Sequence, residues 1–291
     1  MVFNQVTMIP SVVQRYVAGG TVDEAIGYVE EANERGFGVT VNQLGEDYGT
    51  VQPILDDTKN YIRLMDAVSK RGLNASVSVK PSQLGLGIRM SVFEEFLNEL
   101  LDANKGVFIW MDMEEESMND GILEQFRKIR REDLGVTVRL QGGPVSERLD
   151  SVKDHPGAVR LVRQVHGWVQ EGTTSEYFGD DKRREILETV FREFEPDIAV
   201  ESHDREFIET CVGLSETYGR DLEIQMLKGV NPELQEELVE NNRVVVYAPF
   251  GERWMSYFKR RMEANKKHVK KNVSGFVDGV DPGALDPRSY L

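Results

Sequence analysis

The chain has 291 residues, of which 40% are hydrophobic and 29% charged, and its formal net charge at pH 7 is −15. This acidic balance argues against nucleic acid as a main partner, because binding the phosphate backbone requires a basic surface; it slightly favours adaptation to high salt over ordinary solubility. The sequence has no apolar run of the ~18 residues that a transmembrane helix needs, and the single cysteine, Cys211, excludes a disulfide framework within one chain.

Short runs rich in β-branched residues predict eight strands. In chain order these runs cover residues 39–41, 75–79, 107–111, 136–140, 158–162, 197–200, 222–227 and 244–247. Segments with helical periodicity lie before or between them, at residues 22–35, 52–71, 91–104, 118–132, 181–195, 205–218 and 232–241. The link between the fourth and fifth strands, 142–157, is short and carries two prolines. Four glycines are placed where predicted helices should end, as C-cap glycines are: Gly72, Gly106, Gly135 and Gly219.

The alternation of strands and helices predicts a parallel sheet, and eight such units at this length predict a closed (β/α)8 barrel of the TIM type. An open doubly wound sheet is the alternative, but no glycine-rich phosphate turn follows an early strand. We assign residues 1–271 to a single barrel domain and residues 272–291, which contain several glycines and prolines, to an irregular C-terminal tail.

Polar side chains lie at or near the carboxyl ends of nearly all predicted strands, where barrel enzymes carry their functional groups. These residues are Gln43, Glu46, Lys80, Asp112, Glu114, Gln141, Arg163, His166, His203, Asp204, Gln225, Lys228 and Tyr247. A structural protein would not need so many, so the set favours an active site. The residues leave three chemistries open: a Schiff base on a lysine, a divalent metal held by acids and histidine, or a phosphate-bearing cofactor with a carboxylate substrate.

An arginine pair, Arg260 and Arg261, lies on the helix predicted after the last strand. Trp254, Tyr257 and Arg261 are spaced by three and four residues and share one helix face. Two guanidiniums over the barrel mouth could hold a carboxylate, because each offers paired N–H donors that match its two oxygens. The alternative is a solvated basic helix end, since three lysines are near.

A series of motifs resembles the FAD-dependent proline dehydrogenases, specifically the monofunctional members. The matching stretches are RYVAGGTVDEAI, VTVNQLGE, SVSVKPSQLG, DMEEES, VRLQGG, VRLVR, ESHD, IQMLKG and YAPFGERWMSYFKRR. They occur in the family's order from about residue 15 to residue 261, and the series is more specific than any one motif. The family's fold is the same (β/α)8 barrel, which agrees with the predicted elements.

The resemblance implies a catalytic and substrate-binding set. Lys80 should lie beside the flavin and bind the substrate carboxylate, and Asp112 should lie next to it. Tyr247 is expected at the substrate pocket. Arg260 and Arg261 match the family's arginine pair, which grips the carboxylate.

The resemblance also implies a cofactor-binding set and no metal. The expected FAD contacts are Gln141, Arg160, His166, Lys182, His203 and Gln225. Within this set Arg160 should hydrogen-bond the flavin ring near N5, and Lys182 should meet the phosphates. His166 departs from the family, which has a tyrosine there, so the sequence marks a divergent member.

The function implied is the oxidation of L-proline to 1-pyrroline-5-carboxylate, with hydride transfer to flavin. The expected partners are a quinone or other electron acceptor, with contact to a membrane surface, and a 1-pyrroline-5-carboxylate dehydrogenase. We expect a cytoplasmic protein, since the amino terminus lacks a basic start followed by an apolar core. The alternatives are a paralogue acting on another cyclic or secondary amino acid, and a flavin-free barrel that is a lyase or a binding protein.

Overall fold

Eight parallel strands close into a barrel, in the order of the sequence, with β8 paired to β1. The structure is a computed structural model, and it describes residues 9–140, 144–163 and 180–259. The strands are β1 (Gly38–Gln43), β2 (Ala75–Val79), β3 (Ile109–Met111), β4 (Leu134–Arg139), β5 (Ala158–Val162), β6 (Asp197–Glu201), β7 (Leu222–Leu227) and β8 (Arg243–Phe250). The predicted (β/α)8 barrel is confirmed.

Helices separate the strands, mostly as the periodicity predicts. They are α1 (Ser11–Gln14), α2 (Val22–Glu34), α3 (Val51–Arg71), α4 (Met90–Ala103), α5 (Glu116–Lys128), α6 (Val145–Asp150), α7 (Asp180–Glu193), α8 (Arg205–Tyr218) and α9 (Pro232–Val239). The short helix α6 occupies the proline-containing link after β4 and was not predicted. None of the helices in the described ranges is both long and apolar enough to cross a membrane.

Two of the four predicted helix-ending glycines are C-caps. Gly72 and Gly219 adopt the left-handed conformation directly after α3 and α8, which satisfies terminal carbonyls without strain at a Cβ. Gly106 lies two residues beyond the C-cap of α4. The prediction for Gly135 is wrong, because this residue lies inside β4. A Cβ there would come within 2.4 Å of the Trp110 ring, so glycine makes room for an indole inside the barrel.

The apolar core lies between the outer face of the sheet and the helices. Outward-facing strand residues such as Val41 and Val77 join helix residues such as Phe93 in one continuous buried cluster. The inward face is largely polar instead, because side chains alternate between the two faces of a strand. Thr40 and Ser76, for example, share a hydrogen bond of 2.8 Å between their hydroxyl oxygens. The barrel interior is therefore available for polar chemistry.

A second apolar cluster fixes the segment that leads to the arginine pair. Ile9, Val13, Val17, Leu44 and Trp254 are buried together, which joins the α1 region to the helical residues 254–259 beside the end of β1. Arg260 and Arg261, and the predicted tail 272–291, lie outside the described residues. The boundary between barrel and tail stays a prediction.

Gly157 precedes β5, at a point where the backbones of β4 and β5 come close together. A Cβ on this residue would lie 1.9 Å from the carbonyl oxygen of Leu134, a backbone atom that cannot move aside. We expect Gly157→Ala to lower the free energy of unfolding by about 2 kcal/mol or more. The control is Gly213→Ala on the exposed side of α8, where nothing lies within 4 Å and better helix propensity should stabilise by about 0.5–1 kcal/mol. Urea unfolding measures the stability of both variants. A Gly157→Ala variant as stable as the Gly213→Ala variant would contradict the close contact between Gly157 and the Leu134 carbonyl oxygen.

Candidate active site

A buried arginine occupies the centre of the barrel interior. Arg160 extends inward from β5 and is 1% exposed. Its Nη2 atom pairs with the Asp112 carboxylate, while Nε and Nη2 donate to the Thr137 hydroxyl at 3.0 and 2.6 Å. Its Nη1 atom donates to Gln225 Oε1 at 2.8 Å. The guanidinium therefore has partners on several strands, as a desolvated charge requires.

Asp112 follows β3 and collects the donors around it. Its carboxylate accepts the Ser78 hydroxyl at 2.6 Å and the Tyr247 hydroxyl at 2.8 Å, besides the Arg160 ion pair. Burial alone would raise the pKa of this carboxyl, but Arg160, Lys80 and the two hydroxyls outweigh burial and hold its pKa below the ordinary value. Asp112 is thus anionic at neutral pH. The structure brings Asp112, Arg160 and Tyr247 together.

Tyr247 points into the barrel from the middle of β8. Burial and the Asp112 charge raise the pKa of its phenol well above the ordinary value, so the hydroxyl stays protonated and donates to Asp112. The centroid of its ring lies 5.6 Å from the Arg160 guanidinium carbon, and the Trp110 ring lies at 5.1 Å. Two aromatic rings thus line the cation as well.

Lys80 follows β2 and is half-buried at the barrel mouth, the end of the barrel formed by the carboxyl ends of the strands. The described part of the chain gives its ammonium no hydrogen bond or ion pair, although its charge acts on Asp112 and Glu114. Glu114 accepts the amide and hydroxyl of Ser82 at 2.9 and 2.7 Å. Burial raises the pKa of the Glu114 carboxyl despite the nearby lysine. The Lys80 side chain is therefore open to an anionic ligand.

The other predicted cofactor residues fall in different places. Gln225 is fully buried beside Arg160. His203 follows β6, and its Nε2 accepts the amide of Leu227 at 3.2 Å, so a neutral ring carries its proton on Nδ1. Lys182 lies at the start of α7, half-exposed, and pairs with Glu185 at 3.0 Å; the structure does not bring it into the cluster. Four of the predicted site residues lie outside the described residues: Gln141, His166, Arg260 and Arg261.

The metal-binding arrangement left open by the sequence is not assembled. Asp112 pairs with Arg160, and Asp204 pairs with Arg163 at 2.5 Å. The four residues that could supply metal ligands are Asp112, Glu114, His203 and Asp204, and two of them are therefore already paired with arginine. Across residues 9–140, 144–163 and 180–259, no group of three or more His, Cys, Asp or Glu side chains is placed to hold a metal ion.

Several residues of this interior were missed by the sequence analysis. Ser78, Thr137 and Glu201 contact Arg160, the last with its carboxylate 3.6 Å from Nε. The available signal was the alternation of polar and apolar residues along their strands, which puts every second side chain inside the barrel. Candidates chosen from the strand ends leave out these residues, which lie within the strands.

A second buried carboxylate ties two loops of the barrel mouth together. Asp57 on α3 accepts Gln43 Nε2 at 2.6 Å, Gln83 Nε2 at 2.8 Å and the Tyr48 hydroxyl at 2.5 Å. Gln43 is the last residue of β1, Tyr48 lies in the loop that follows, and Gln83 lies in the loop that begins at Lys80. Burial raises the pKa of Asp57 to about 6. One side chain thus sets the relative position of both loops.

Comparison with known proteins gives relatives over almost the whole chain. No protein-family model matches. Proline dehydrogenase 1 of Bacillus subtilis (strain 168) is 27% identical over 277 residues, covering 89% of this chain and 90% of that protein. Proline dehydrogenase 2 of the same strain is 24% identical over 277 residues, with 90% and 89% covered. The proline dehydrogenase of Deinococcus radiodurans is 28% identical over 287 residues, with 91% and 90% covered.

Solved structures share the barrel. Proline utilization A from Bdellovibrio bacteriovorus, inactivated by N-propargylglycine, superposes with a TM-score of 0.75 at 21% identity, covering 86% of this chain and 32% of that one. Proline utilization A from Corynebacterium freiburgense gives 0.66 at 19% identity, covering 89% and 32%. The chain spans about a third of the length of these proteins, and the likeness shows the fold.

The closed parallel barrel and the charged groups at its mouth define a (β/α)8-barrel protein with its functional groups at the carboxyl ends of the strands. Within that class, the relatives agree with the resemblance found in the sequence. The chain is a divergent relative of the monofunctional proline dehydrogenases.

Asp112→Asn tests the compensation of the buried guanidinium. The amide keeps the shape of the side chain but removes the charge that neutralises Arg160, so we expect the free energy of unfolding at pH 7 to fall by about 3 kcal/mol. The control is Asp120→Asn on α5, whose side chain is 88% exposed and which should change stability by no more than about 0.5 kcal/mol. Urea unfolding measures both. Equal midpoints would show that the Asp112 charge does not stabilise the barrel.

Asp57 predicts a pH dependence of stability. Its pKa of about 6 when folded exceeds the ordinary 3.8, so between these values the folded state binds more protons than the unfolded state. The free energy of unfolding therefore falls as pH rises through this window, by about 3 kcal/mol from this residue. Asp57→Asn should remove that slope, and Asp56→Asn, on the exposed side of α3, should keep most of it. Urea unfolding from pH 4 to pH 7 decides; parallel profiles for Asp57→Asn and the unsubstituted protein would contradict the assignment.

Proposed function

We propose that this protein oxidises L-proline to 1-pyrroline-5-carboxylate, with FAD as the hydride acceptor. The observation that carries the proposal is the Lys80 ammonium, which has no partner among the described residues and lies beside the Asp112, Arg160 and Tyr247 cluster. A cation held at a barrel mouth suits an amino acid carboxylate. The curated relatives, named proline dehydrogenases, cover about nine-tenths of the chain.

The donors inside the barrel fit a flavin cofactor. Arg160 Nη1 carries two N–H groups, and within the described ranges it makes one hydrogen bond, to Gln225. The second N–H is a buried cationic donor suited to a cofactor acceptor atom. In our proposal Arg160, Gln225 and His203 hold FAD together with Gln141, His166 and Lys182. When bound, FAD would supply the acceptor for the hydride lost by the substrate carbon.

The protein's own side chains would bind and orient the substrate. Lys80, Arg260 and Arg261 would hold the carboxylate and so fix the ring carbon that is oxidised, and fixing geometry of this kind is worth several kcal/mol. Tyr247 would form a wall of the pocket, its ring held by the bond to Asp112. The same cations would stabilise negative charge that develops at the site during oxidation.

We further propose the cellular setting that the reaction requires. The electrons removed from proline must leave the site, and a quinone or another acceptor would take them, which would bring this cytoplasmic protein to a membrane surface. A 1-pyrroline-5-carboxylate dehydrogenase would consume the product.

Flavin loading and substrate reduction test the proposal directly. The purified protein should take up FAD and show the visible absorbance of oxidised flavin, which proline should bleach under anaerobic conditions. Bleaching by another cyclic or secondary amino acid, but not by proline, would favour a paralogue with that substrate. A colourless protein that does not take up added FAD would contradict the proposal and favour a lyase or a binding protein.

Arg261→Met tests whether this arginine binds the carboxylate of the substrate. Loss of a paired charged hydrogen bond should lower kcat/KM for proline by roughly 30- to 1000-fold, equivalent to about 2–4 kcal/mol, while FAD stays bound. The control is Lys259→Met, two residues earlier in the same segment and exposed, which should stay within about threefold of the unsubstituted protein. Steady-state kinetics with an artificial electron acceptor measure both, and an unchanged kcat/KM for Arg261→Met would remove this residue from the site.

A further inference from the structure

A chain of polar side chains runs through the barrel from its mouth to its opposite end. Asp112 pairs with Arg160, whose Nη1 donates to Gln225 Oε1 at 2.8 Å. Gln225 Nε2 in turn donates to Glu223 Oε1 at 2.6 Å. Glu223 Oε2 pairs with Arg243 at 2.7 Å. The series links the buried guanidinium to the surface at the amino ends of the strands.

Strand geometry places these groups in line. Glu223 and Gln225 are two residues apart on β7, so both side chains share one face of the strand. The strand register puts Arg243, the first residue of β8, directly beside Glu223. Exposure falls along the series, from 67% for the Arg243 side chain to 11% for Glu223 and 0% for Gln225. The buried amide of Gln225 therefore lies between the Arg160 guanidinium, deeper in the barrel, and the Glu223 carboxylate, nearer the surface.

The two neighbours leave the Gln225 amide one satisfactory orientation. A guanidinium can only donate and a carboxylate can only accept. Oε1 must therefore face Arg160, and the NH2 group must face Glu223. A flipped amide would set two donors together at Arg160 and two acceptors together at Glu223, and both contacts would be repulsive in a buried site. The Glu223 carboxylate consequently decides which Gln225 atom meets the guanidinium.

We propose that Glu223 is a positioning residue: it holds the Gln225 amide so that its oxygen fixes Arg160 Nη1 in the orientation needed to meet FAD. The proposal rests on the proposed flavin function for the cofactor contact. Glu223 itself lies toward the barrel's amino end and acts through Gln225. Arg243 pairs with the carboxylate oxygen that Gln225 does not use.

A charge swap tests the orientation in the apoprotein. E223Q removes the anion, and Q225E sets two carboxylates side by side; we expect each to lower the thermal midpoint by about 5 °C. In the double variant E223Q/Q225E the amide at position 223 can donate to the carboxylate at position 225 and accept from Arg243. The carboxylate then accepts from Arg160 in either orientation, so the midpoint should return to within about 2 °C of the unsubstituted protein.

FAD binding supplies the second measurement. E223Q should raise the FAD dissociation constant about tenfold, the scale of one hydrogen bond to a charged group. R243Q, which leaves the bond between Glu223 and Gln225 in place, should stay within about twofold of the unsubstituted protein.

A double variant as unstable as the two single changes combined would overturn the proposal, as would an unchanged FAD dissociation constant for E223Q. Failure of the unsubstituted protein to take up FAD would overturn the proposed function instead. That result is distinguishable from the first, because the charge swap is read in the apoprotein.

Discussion

The buried guanidinium of Arg160 is the constraint on which the barrel interior depends. A charge removed from water is tolerated only when hydrogen bonds and an opposite charge replace the lost hydration. Acceptors from β2, β4 and β7, with the carboxylate that follows β3, meet this requirement. The inward face of the sheet is accordingly polar where many barrels are filled with branched apolar side chains.

The same interior has to fit large groups around the cation. Trp110 lies over the guanidinium, and its ring occupies space that a side chain at Gly135 would take. Ala158 and Ala199 are the small neighbours of Trp110 in a separate apolar cluster. The small residues therefore leave space for the aromatic ring, and the ring in turn covers one side of the guanidinium.

At the mouth, one carboxylate serves two cations. Asp112 pairs directly with Arg160 and also acts on Lys80 through space. Because Asp112 is already bonded to Arg160, Ser78 and Tyr247, the lysine keeps its donors for a ligand. A positive charge that is held at the mouth without an ion-pair partner among the described residues attracts an anionic substrate.

The loops around this site are held by contacts among residues far apart in sequence. Asp57 joins the loop after β1 to the loop that begins at Lys80. Packing of Val13 and Trp254 near Leu44 brings the two ends of the described chain to the same side of the barrel. Rigid support of this kind is what a site needs if it is to fix a small substrate in one geometry.

The sequence by itself predicted the barrel, because strand and helix periodicities are local properties and eight alternating units at this length favour a closed barrel over an open sheet. It also identified Lys80, Asp112 and Arg160 as site candidates through ordered motifs. Local pattern could not reveal that Gly135 lies within a strand, since the reason is a ring contributed by β3. Only the tertiary structure decided the pairing of Arg160 with Asp112 and the role open to Glu223. Those interactions join residues on different strands, and their energies depend on burial that no single segment possesses.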